Sequence, residues 1–406
     1  MFVLTAIAPA QPTYNRAMLN RLLKRFVSLL ALSASVASVA SVVSVAHVAY
    51  AADPLPSQIA ARAWVLLDTQ SGQLITGYKH DERFEPASLT KLMTAYLVFD
   101  ALKQKKLKPD QIVTVSDSAR KATGSRMFIQ VDIPVTVNEL MRGMIIQSGN
   151  DATIALAEAV AGTEEAFVTL MNREAKRMGL TATNFVNSTG LPAPKHTSTA
   201  RDLAQLTATL IRDYPEHYPL YAQKEFRYND ITQANRNRLL WRDATVDGVK
   251  TGHTEAAGYC LISSARRDNR RLISVVLGTA SDAARAAESQ KLLNYGYQNF
   301  ENVRLYEAQQ AAATPRVWKG TLNTVKIGFP NGLFVTVPRG EAAQLKAKME
   351  TVQPLLAPLR SGQPIGTLKL ELNGKPYHTL PAVALEDVPV AGMFGRAWDA
   401  IRLYWQ

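Results

Sequence analysis

Glu85-Pro86-Ala87-Ser88-Leu89-Thr90-Lys91 is the stretch that decides how this chain is interpreted, because a serine and a lysine three residues apart open a predicted helix. A serine hydroxyl is a poor nucleophile until a base lies beside it. Residues three apart on a helix project from one face, so the amine and the hydroxyl come within reach of each other. We predict Ser88 as a nucleophile and Lys91 as its base, at a helix N-terminus whose free N–H groups favour an oxyanion.

The predicted chemistry requires that the amine of Lys91 be uncharged near pH 7. Burial and a neighbouring cation both lower the pKa of a lysine, and Lys250 is the cation that we expect beside it. A second S-x-x-K segment, Ser118-Ala119-Arg120-Lys121, leads into a Gly124-Ser125 loop instead of an apolar helix. About one or two chance matches are expected in a chain of this length. We interpret the second segment as a helix cap with a solvated lysine.

Two more triplets follow, Ser148-Gly149-Asn150 and Lys250-Thr251-Gly252. The first lies between two predicted helices, where Gly149 permits a sharp turn, although alone it would be interpreted as an asparagine helix cap. The second ends a predicted strand, where a lysine, a hydroxyl and a strand edge can bind a peptide carboxylate, although alone it would be an exposed strand end. Three independent accidents in this order are improbable, so the set predicts a serine acyl-transfer site.

The composition is that of a globular protein: 406 residues, 47% hydrophobic and 20% charged, enough for two or three domains. A single cysteine, Cys260, excludes an intrachain disulfide. Because Cys260 falls in an apolar run, we predict a small buried hydrophobic residue and not a reactive thiol. The six histidines show no spacing typical of metal ligands, and no metal or cofactor is expected.

Residues 1–51 are predicted to be a secretory signal peptide. Four basic residues precede an apolar stretch that starts at Phe26, and Ala49-Tyr50-Ala51 provides a small-x-small cleavage site. Met18 is an alternative start, and an uncleaved anchor is the alternative to cleavage. Removal of the signal would lower the formal net charge from +12 to +8. That excess suits an anionic membrane surface or polymer, and no nucleic-acid partner is expected because no such motif is present.

The sequence pattern over residues 52–300 predicts one mixed α/β domain with an antiparallel sheet and helices. A predicted hairpin, Ala63–Asp68 with Gln73–Gly77, opens it, and a helix from Ala283 to Tyr297 closes it. Strands at both ends of the domain with helices between them predict a sheet whose first and last strands meet. The late strands are predicted at Thr245–Lys250, Gly258–Ala265 and Arg271–Leu277. The intervening helices are predicted at Val137–Ile146, Asp151–Val160, Glu164–Met178 and Arg201–Arg212, the last with a Thr199-x-x-Asp202 cap.

The remaining residues predict a small β-rich domain, 301–388, and an amphipathic helix, 389–406. Short β-like runs such as Thr324–Phe329, Leu333–Pro338 and Thr367–Leu372 alternate with Pro/Gly turns. In Met393–Gln406 aromatic and aliphatic residues recur every three or four positions, with Arg396, Asp399 and Arg402 opposite. This pattern is typical of a helix lying in a bilayer interface and is too short to span one. Docking of the helix on its own domain is the alternative.

With the residues around the three motifs included, the chain resembles the low-molecular-mass penicillin-binding proteins, serine-type D-alanyl-D-alanine carboxypeptidases with S-x-x-K, S-x-N and K-T-G motifs. The resemblance covers residues from about 57 to the end. The segments that carry it, besides Glu85–Lys91, are Ile146–Ala152, Asp247–Thr254, Asn235–Trp241 and Gly392–Asp399. It implies a periplasmic enzyme, attached peripherally to the outer face of the cytoplasmic membrane through its C-terminal helix.

The resemblance also implies residue roles. Ser88 would attack the D-Ala–D-Ala carbonyl of a peptidoglycan stem pentapeptide, and Lys91 would accept its proton. Ser148 would protonate the departing D-alanine, and Asn150 would orient the substrate amide. Lys250, Thr251 and Gly252 would hold the terminal carboxylate, and the N–H groups of Ser88 and His253 would form the oxyanion hole. β-Lactam antibiotics would acylate Ser88 as substrate mimics.

Three alternatives stay open. A class A β-lactamase shares the three elements, but that family has Asp where this chain has Gly149, and Thr181-Ala182-Thr183-Asn184 lacks its water-activating Glu. A D,D-endopeptidase that cuts cross-links belongs to the same superfamily. The third alternative is a non-catalytic, membrane-bound peptidoglycan-binding scaffold, which would need neither Ser88 nor Lys91.

Overall fold

The structure, a computed structural model, describes residues 58–404. The predicted signal peptide, residues 1–51, lies outside the described residues. The strands before residue 300 are β1 Ala63–Asp68, β2 Leu74–Tyr78, β3 Ile112–Val113, β4 Val135–Thr136, β5 Glu225–Tyr228, β6 Ile231–Ala234, β7 Val246–Thr254, β8 Gly258–Arg267 and β9 Arg270–Thr279. The helices are α1 Lys91–Lys103, α2 Asp117–Arg120, α3 Val137–Arg142, α4 Asn150–Ala161, α5 Glu164–Arg177, α6 Ala200–Asp213, α7 Leu239–Arg242, α8 Asp282–Asn299 and α9 Met393–Tyr404.

An antiparallel sheet with the order β2-β1-β9-β8-β7 forms the centre of the first domain. Strand β1 reads AWVLLD and is buried along its whole length, because both faces of the sheet are covered. Val65 and Leu67 face one apolar cluster, whereas Trp64 and Leu66 face another that α8 completes with Leu292. Strand β1 pairs with β9, with Val65 opposite Val275, which confirms that the first and last strands meet.

Most helices lie where the sequence predicts them. The cap predicted for α6 is present, since the Thr199 side chain accepts a hydrogen bond from the Asp202 N–H. The single helix predicted over Val137–Ile146 is wrong in part: α3 ends at Arg142, and a π-helical turn follows at Gly143–Gln147. The β5–β6 hairpin has no counterpart in the sequence prediction, because its alternation is short and carries a Tyr-Asn-Asp turn without glycine.

The β-rich region after α8 has its own apolar core. Its strands are β10 Phe300–Tyr306, β11 Ala311–Ala313, β12 Val317–Trp318, β13 Ile327–Gly328, β14 Leu333–Pro338, β15 Leu345–Thr351, β16 Leu355–Leu356, β17 Pro364–Leu372 and β18 Lys375–Ala384. The order of its larger sheet is β11-β13-β18-β17-β15. In β17 the buried Leu368, Leu370 and Leu372 alternate with exposed polar residues, as expected for a strand with one covered face. The run predicted over Thr324–Phe329 forms only the short strand β13.

Hydrogen bonds tie the turn between β1 and β2 to the β-rich region. The hydroxyl groups of Ser71 and Thr336 are 2.6 Å apart, and Thr336 N–H donates to Gln73 Oε1 at 2.5 Å. Helix α9 differs, since it buries none of its residues. Phe394 is 92% exposed and Trp398 59%. On its polar side Asp399 Oδ2 accepts a hydrogen bond from Lys319 N–H at 2.6 Å, which ties the helix to the β-rich region. Among residues 58–404 no helix is long and apolar enough to cross a membrane.

Candidate active site

The S-x-x-K segment forms a 3-10 turn at Ala87–Thr90 that leads directly into α1. Ala87 has φ +47°, and its neighbour Gly190 packs so closely that an added Cβ would collide with Ala87 O. This tight turn places Ser88 at the surface of the cleft and Lys91 inside it. Lys91 Nζ lies 2.9 Å from Ser88 Oγ, which is the geometry that the sequence predicts for nucleophile and base.

The amine of Lys91 is buried, with 1% of the side chain exposed, and is surrounded by acceptors. It donates to Asn150 Oδ1 at 2.7 Å and to Thr189 O at 2.6 Å, besides Ser88. An ammonium has three hydrogens to donate, whereas a neutral amine has two and a lone pair. Loss of one proton therefore lets the lone pair face Ser88 while Asn150 and Thr189 keep the nitrogen in position.

The pKa of Lys91 is lowered to about 7, first by burial and then by the positive charge of Arg236, with Asp151 opposing. An appreciable fraction of the amine is therefore neutral at neutral pH, as base catalysis requires. The neighbouring cation differs from the one predicted. Burial, followed by the charges of Lys91, Arg236 and Arg285, holds the pKa of Lys250 well below its usual range, and the charge that lowers the pKa of Lys91 is that of Arg236.

The S-x-N segment joins the π-helical turn to α4. The predicted role of Gly149 is wrong: Ser148 has the left-handed conformation, φ +67°, whereas Gly149 has φ −59°. Glycine is required for space, since a Cβ there would lie 2.8 Å from Asp151 Oδ1 and 3.1 Å from Met127 N. Ser148 Oγ is buried and has no hydrogen-bond partner within residues 58–404. A buried unsatisfied hydroxyl in a cleft is available to a ligand.

Asn150 is the first residue of α4 and not its cap, a position that Gly149 occupies. Its oxygen accepts from Lys91, and its Nδ2 donates to Thr123 O at 2.6 Å. The next residue, Asp151, is buried and accepts N–H groups from Met127, Phe128 and Ile129 at 2.7–3.2 Å. These bonds hold the segment around residue 127 against the start of α4.

The K-T-G segment lies within β7, the strand at the edge of the main sheet, and not at a strand end as predicted. Lys250 and Thr251 are buried. A Cβ at Gly252 would lie 3.2 Å from Pro86 O and 3.3 Å from Ala87 Cβ, so glycine lets the strand pass close to the turn that carries Ser88. His253 is exposed, and its ring packs on Tyr259 with the ring centres 4.1 Å apart.

Hydrogen bonds thus join Ser88, Lys91 and Asn150 directly, close packing brings Gly252 to the same turn, and charge couples Lys250 to Lys91. In the described part of the chain Ser148 and His253 lie beside this group without a hydrogen bond to it. The second S-x-x-K segment is separate: Lys121 Nζ pairs with Asp117 at 2.9 Å, and the Lys121 side chain is 62% exposed.

Sequence reasoning missed three supporting residues. Thr189 acts through its backbone carbonyl, which no side-chain pattern reveals. His196 Nδ1 accepts the Val186 N–H at 3.0 Å, so its Nε2 carries the hydrogen and donates to Thr90 Oγ1 at 2.8 Å. Burial, then the charge of Lys91, lowers the pKa of His196 to about 4, which keeps it neutral. Arg236 belongs to Asn235–Trp241, one of the segments on which the family resemblance rests. That resemblance could have indicated a role for Arg236.

Comparison with known proteins identifies the family. Residues 48–281 match peptidase family S11, D-alanyl-D-alanine carboxypeptidase, and residues 300–390 match the C-terminal domain of penicillin-binding protein 5. The chain belongs to the S11 family. The expected fold, a transpeptidase-like α/β domain followed by a β-rich domain and a helix, is confirmed together with the membership.

Relatives in this family cover most of the chain. It is 47% identical over 354 residues to D-alanyl-D-alanine carboxypeptidase DacC of Escherichia coli (strain K12), which is 85% of this chain and 88% of the relative. The crystal structure of penicillin-binding protein 5 from Haemophilus influenzae superposes with a TM-score of 0.77 at 43% identity, over 82% of this chain and 98% of that one. Penicillin-binding protein D2 of Listeria monocytogenes, solved in its ampicillin-bound form, is 29% identical with a TM-score of 0.55, over 59% and 98% of the two chains.

Proposed function

We propose that this S11 protein is a serine-type carboxypeptidase that removes the terminal D-alanine from peptidoglycan stem pentapeptides through an acyl-enzyme. The observation that supports the proposal most strongly is the 2.9 Å contact between Ser88 Oγ and the buried Lys91 amine. The pKa of about 7 at Lys91 makes proton transfer from the hydroxyl possible at neutral pH. A binding scaffold has no need of such a pair.

In the acylation step Ser88 Oγ attacks the carbonyl of the penultimate D-alanine while its proton passes to Lys91. The negative charge that develops on the carbonyl oxygen is stabilised by the N–H groups of Ser88 and His253. The C–N bond then breaks; Ser148 passes its proton to the departing D-alanine nitrogen and takes the proton that Lys91 accepted from Ser88, so that Lys91 is neutral again. Ser148 suits this role because its buried hydroxyl has no other hydrogen-bond partner among residues 58–404.

Recognition of the substrate end rests on positive charge at the edge of β7. Lys250, Thr251 and Gly252 receive the terminal carboxylate, and the exposed Arg236 supplies a further cation. The lowered pKa of Lys250 has burial and like charges as its causes, and an entering carboxylate reverses the second of these. A bound carboxylate therefore raises the pKa of Lys250 and favours its charged form. Asn150 orients the substrate amide.

Water releases the shortened peptide from Ser88 in the second half of the cycle, again with Lys91 as the adjacent base. β-Lactams acylate Ser88 in the same way, because their strained amide occupies the place of the D-Ala–D-Ala bond. The ampicillin-bound relative from Listeria monocytogenes supports this part of the proposal.

We further propose a periplasmic location with peripheral attachment of α9 to the outer face of the cytoplasmic membrane. Met393, Phe394, Trp398, Ile401 and Tyr404 are all more than half exposed. An exposed stripe of this kind, flanked by arginines, favours insertion into a bilayer interface. The signal peptide over 1–51 and the domain bounds 52–300, 301–388 and 389–406 belong to the same proposal.

The catalytic proposal is tested with the purified mature chain, fluorescent penicillin and a pentapeptide that ends in D-Ala–D-Ala. We expect a covalent adduct that mass spectrometry locates on Ser88, together with stoichiometric release of D-alanine from the peptide. Absence of both the adduct and free D-alanine would favour the scaffold.

The membrane proposal is tested by deleting residues 392–406 from the mature chain. We expect unchanged D-alanine release and loss of sedimentation with anionic vesicles. Sedimentation equal to that of the full mature chain would contradict attachment through α9.

A further inference from the structure

The loop of residues 185–196 provides one of the acceptors that hold the amine of Lys91. Its base is closed by Asn184 and Thr197, whose backbone N–H groups and carbonyls exchange hydrogen bonds of 2.8 and 3.0 Å. Midway along the loop, the carbonyl of Thr189 accepts from Lys91 Nζ at 2.6 Å. The position of this loop therefore contributes to the position of the amine.

Hydrogen bonds fix the shape of the loop and tie it to helix α5. Asn187 Oδ1 accepts the N–H of Thr189 at 3.2 Å, within the loop. The N–H of Ser188 donates to Glu164 Oε1 at the start of α5, at 2.9 Å. Neither of these two bonds reaches the 3-10 turn that carries Ser88, the nucleophile turn. A further contact must set the position of the loop relative to that turn.

The backbones of the loop and the nucleophile turn are in close contact at Gly190. An added Cβ there would lie 1.8 Å from Ala87 O and 2.9 Å from Thr90 Oγ1, so the two segments leave no room for a side chain. Gly190 has φ +86°, a conformation that glycine adopts readily. Packing sets the closest approach of the two segments, whereas a hydrogen bond also sets their direction.

His196 supplies a directional bond between the loop and the nucleophile turn. Its ring is buried, with 2% of the residue exposed, and packs edge-on against Phe185 with the ring centres 6.0 Å apart. Its Nδ1 accepts the N–H of Val186 at 3.0 Å, and its Nε2 donates to Thr90 Oγ1 at 2.8 Å. A neutral imidazole has one acceptor nitrogen and one donor nitrogen, and both are used here. The ring therefore bridges the loop and the S-x-x-K segment itself.

The bond between His196 and Thr90 links two groups whose relative position matters for proton transfer. Thr90 directly precedes Lys91 and belongs to the same turn as Ser88. The loop at the other end of the bond carries the Thr189 carbonyl. Without the bond the loop and the turn would be free to shift relative to each other, and the 2.9 Å contact between the amine and the serine hydroxyl would be held less firmly. Small misplacements of reacting groups lower rates strongly.

We propose that His196 is a positioning residue for the acylation step: its hydrogen bond to Thr90 keeps the nucleophile turn and the Thr189 carbonyl in register, and so keeps Lys91 Nζ against Ser88 Oγ. His196 acts through Thr90 and not on the reacting atoms. The inference rests on the proposed function, since it takes Lys91 as the base. It goes further because it makes the acylation rate depend on a side chain outside the three motifs.

A double-mutant cycle tests the bond. His196→Ala and Thr90→Val each remove one partner, and the double variant removes both. Each single variant should lower the maximal rate of penicillin acylation, measured by stopped flow, about tenfold, the effect of losing one buried hydrogen bond. The double variant should be no slower than the slower single variant, because both substitutions remove the same interaction. Two effects that multiply in the double variant would overturn the inference.

Two conservative variants separate the roles of the two ring nitrogens. Glutamine can place an amide N–H where Nε2 lies, whereas asparagine can place an amide oxygen where Nδ1 lies. His196→Gln should therefore keep the bond to Thr90 and acylate nearly as fast as the unaltered protein. His196→Asn should be as slow as His196→Ala. The reverse order would place the effect at Val186 and contradict the assignment to Thr90.

A second readout separates positioning from binding. The penicillin concentration that gives half of the maximal rate should stay the same in the His196 variants, because the residue acts on the reacting pair. A change in that concentration with an unchanged maximal rate would contradict positioning. The matched control is His217→Gln, since the His217 ring stacks on Phe99 of α1 with the centres 4.7 Å apart. This variant should leave both kinetic values unchanged.

Folding and the proposed function are checked separately from the positioning role. Circular dichroism identifies the variants that are folded at the assay temperature, and only those are compared. If His196→Ala does not fold, Thr90→Val and the glutamine and asparagine variants decide. No acylation of the unaltered protein would refute the proposed function itself. Acylation of the unaltered protein at the same rate as all His196 variants would refute the positioning role alone.

Discussion

The chain contains two S-x-x-K segments that differ only in their surroundings. Ser88–Lys91 leads into α1, most of which is buried, and its lysine contacts the serine, Asn150 and a backbone carbonyl. Ser118–Lys121 begins on the short helix α2 and ends at its C-cap, where Lys121 pairs with Asp117 at the surface. Equal spacing therefore gives a nucleophile–base pair in one place and a solvated ion pair in the other. Burial of the amine, and not the pattern, creates the chemistry.

The largest expected effect comes from the two serines. Ser88→Ala should reduce kcat/KM for D-alanine release by more than about 10³-fold, the scale of removing a catalytic nucleophile. It should also abolish covalent penicillin labelling. Ser118→Ala should leave both measurements unchanged. Covalent labelling that survives in Ser88→Ala would show that the two segments had been assigned the wrong way round.

The two lysines give the next effect. Lys91→Gln should lower the acylation rate by about 10²–10⁴-fold, which is the contribution of a general base. Lys121→Gln should not alter it, since an exposed lysine paired with Asp117 touches no reacting group. Stopped-flow penicillin acylation measures the rate, and circular dichroism controls for folding. Equal rates in the two variants would remove Lys91 from the mechanism.

An aspartate lies near each S-x-x-K segment, Asp151 in one case and Asp117 in the other. Replacing these two residues should change the free energy of unfolding by different amounts. Asp151→Asn places an NH₂ group against N–H donors of Met127, Phe128 or Ile129, and should cost about 2–4 kcal/mol in the free energy of unfolding. Asp117→Asn removes only an exposed partner of Lys121 and should leave the urea midpoint unchanged. Urea unfolding at pH 7 measures both. A midpoint for Asp151→Asn equal to that of the unaltered protein would mean that the buried contacts around residue 127 do not support the site.

The same contrast explains how much could be predicted. The positions of the main strands along the chain, the α6 cap and the pairing of β1 with β9 depend on apolar runs and local caps, which the sequence displays directly. The Ser88–Lys91 pair followed from spacing and a buried helix. Details that depend on non-local packing were beyond reach: the left-handed Ser148, the carbonyl of Thr189, and the position of Lys250 inside β7. Each is fixed by residues distant in the chain.

The identity of the cation beside Lys91 is another detail that depends on non-local packing. The third motif suggested Lys250, whereas the positive charge that lowers the pKa of Lys91 is that of Arg236. Burial lowers the pKa of Arg236, but a guanidinium stays charged at neutral pH, so Arg236 acts on Lys91 as a cation. The motif therefore predicted Lys250 as the neighbouring cation, whereas the structure identifies Arg236.

The last comparison is between two arginines, Arg236 near Lys91 and Arg120 near Lys121. Base catalysis needs the neutral amine, so acylation should fall about tenfold per pH unit below about 7, the pKa of Lys91. Arg236→Gln removes a positive charge that disfavours the ammonium, so the pKa rises and this limb moves to higher pH. We expect a shift of less than about one unit, because solvent screens an exposed charge. Arg120→Gln should leave the limb in place.

The midpoint of the acylation-rate profile between pH 5 and 9 reports the shift even if Arg236→Gln also weakens carboxylate binding, since that loss lowers the whole curve. A limb that moves to lower pH in Arg236→Gln would contradict the assignment of Lys91 as the titrating base.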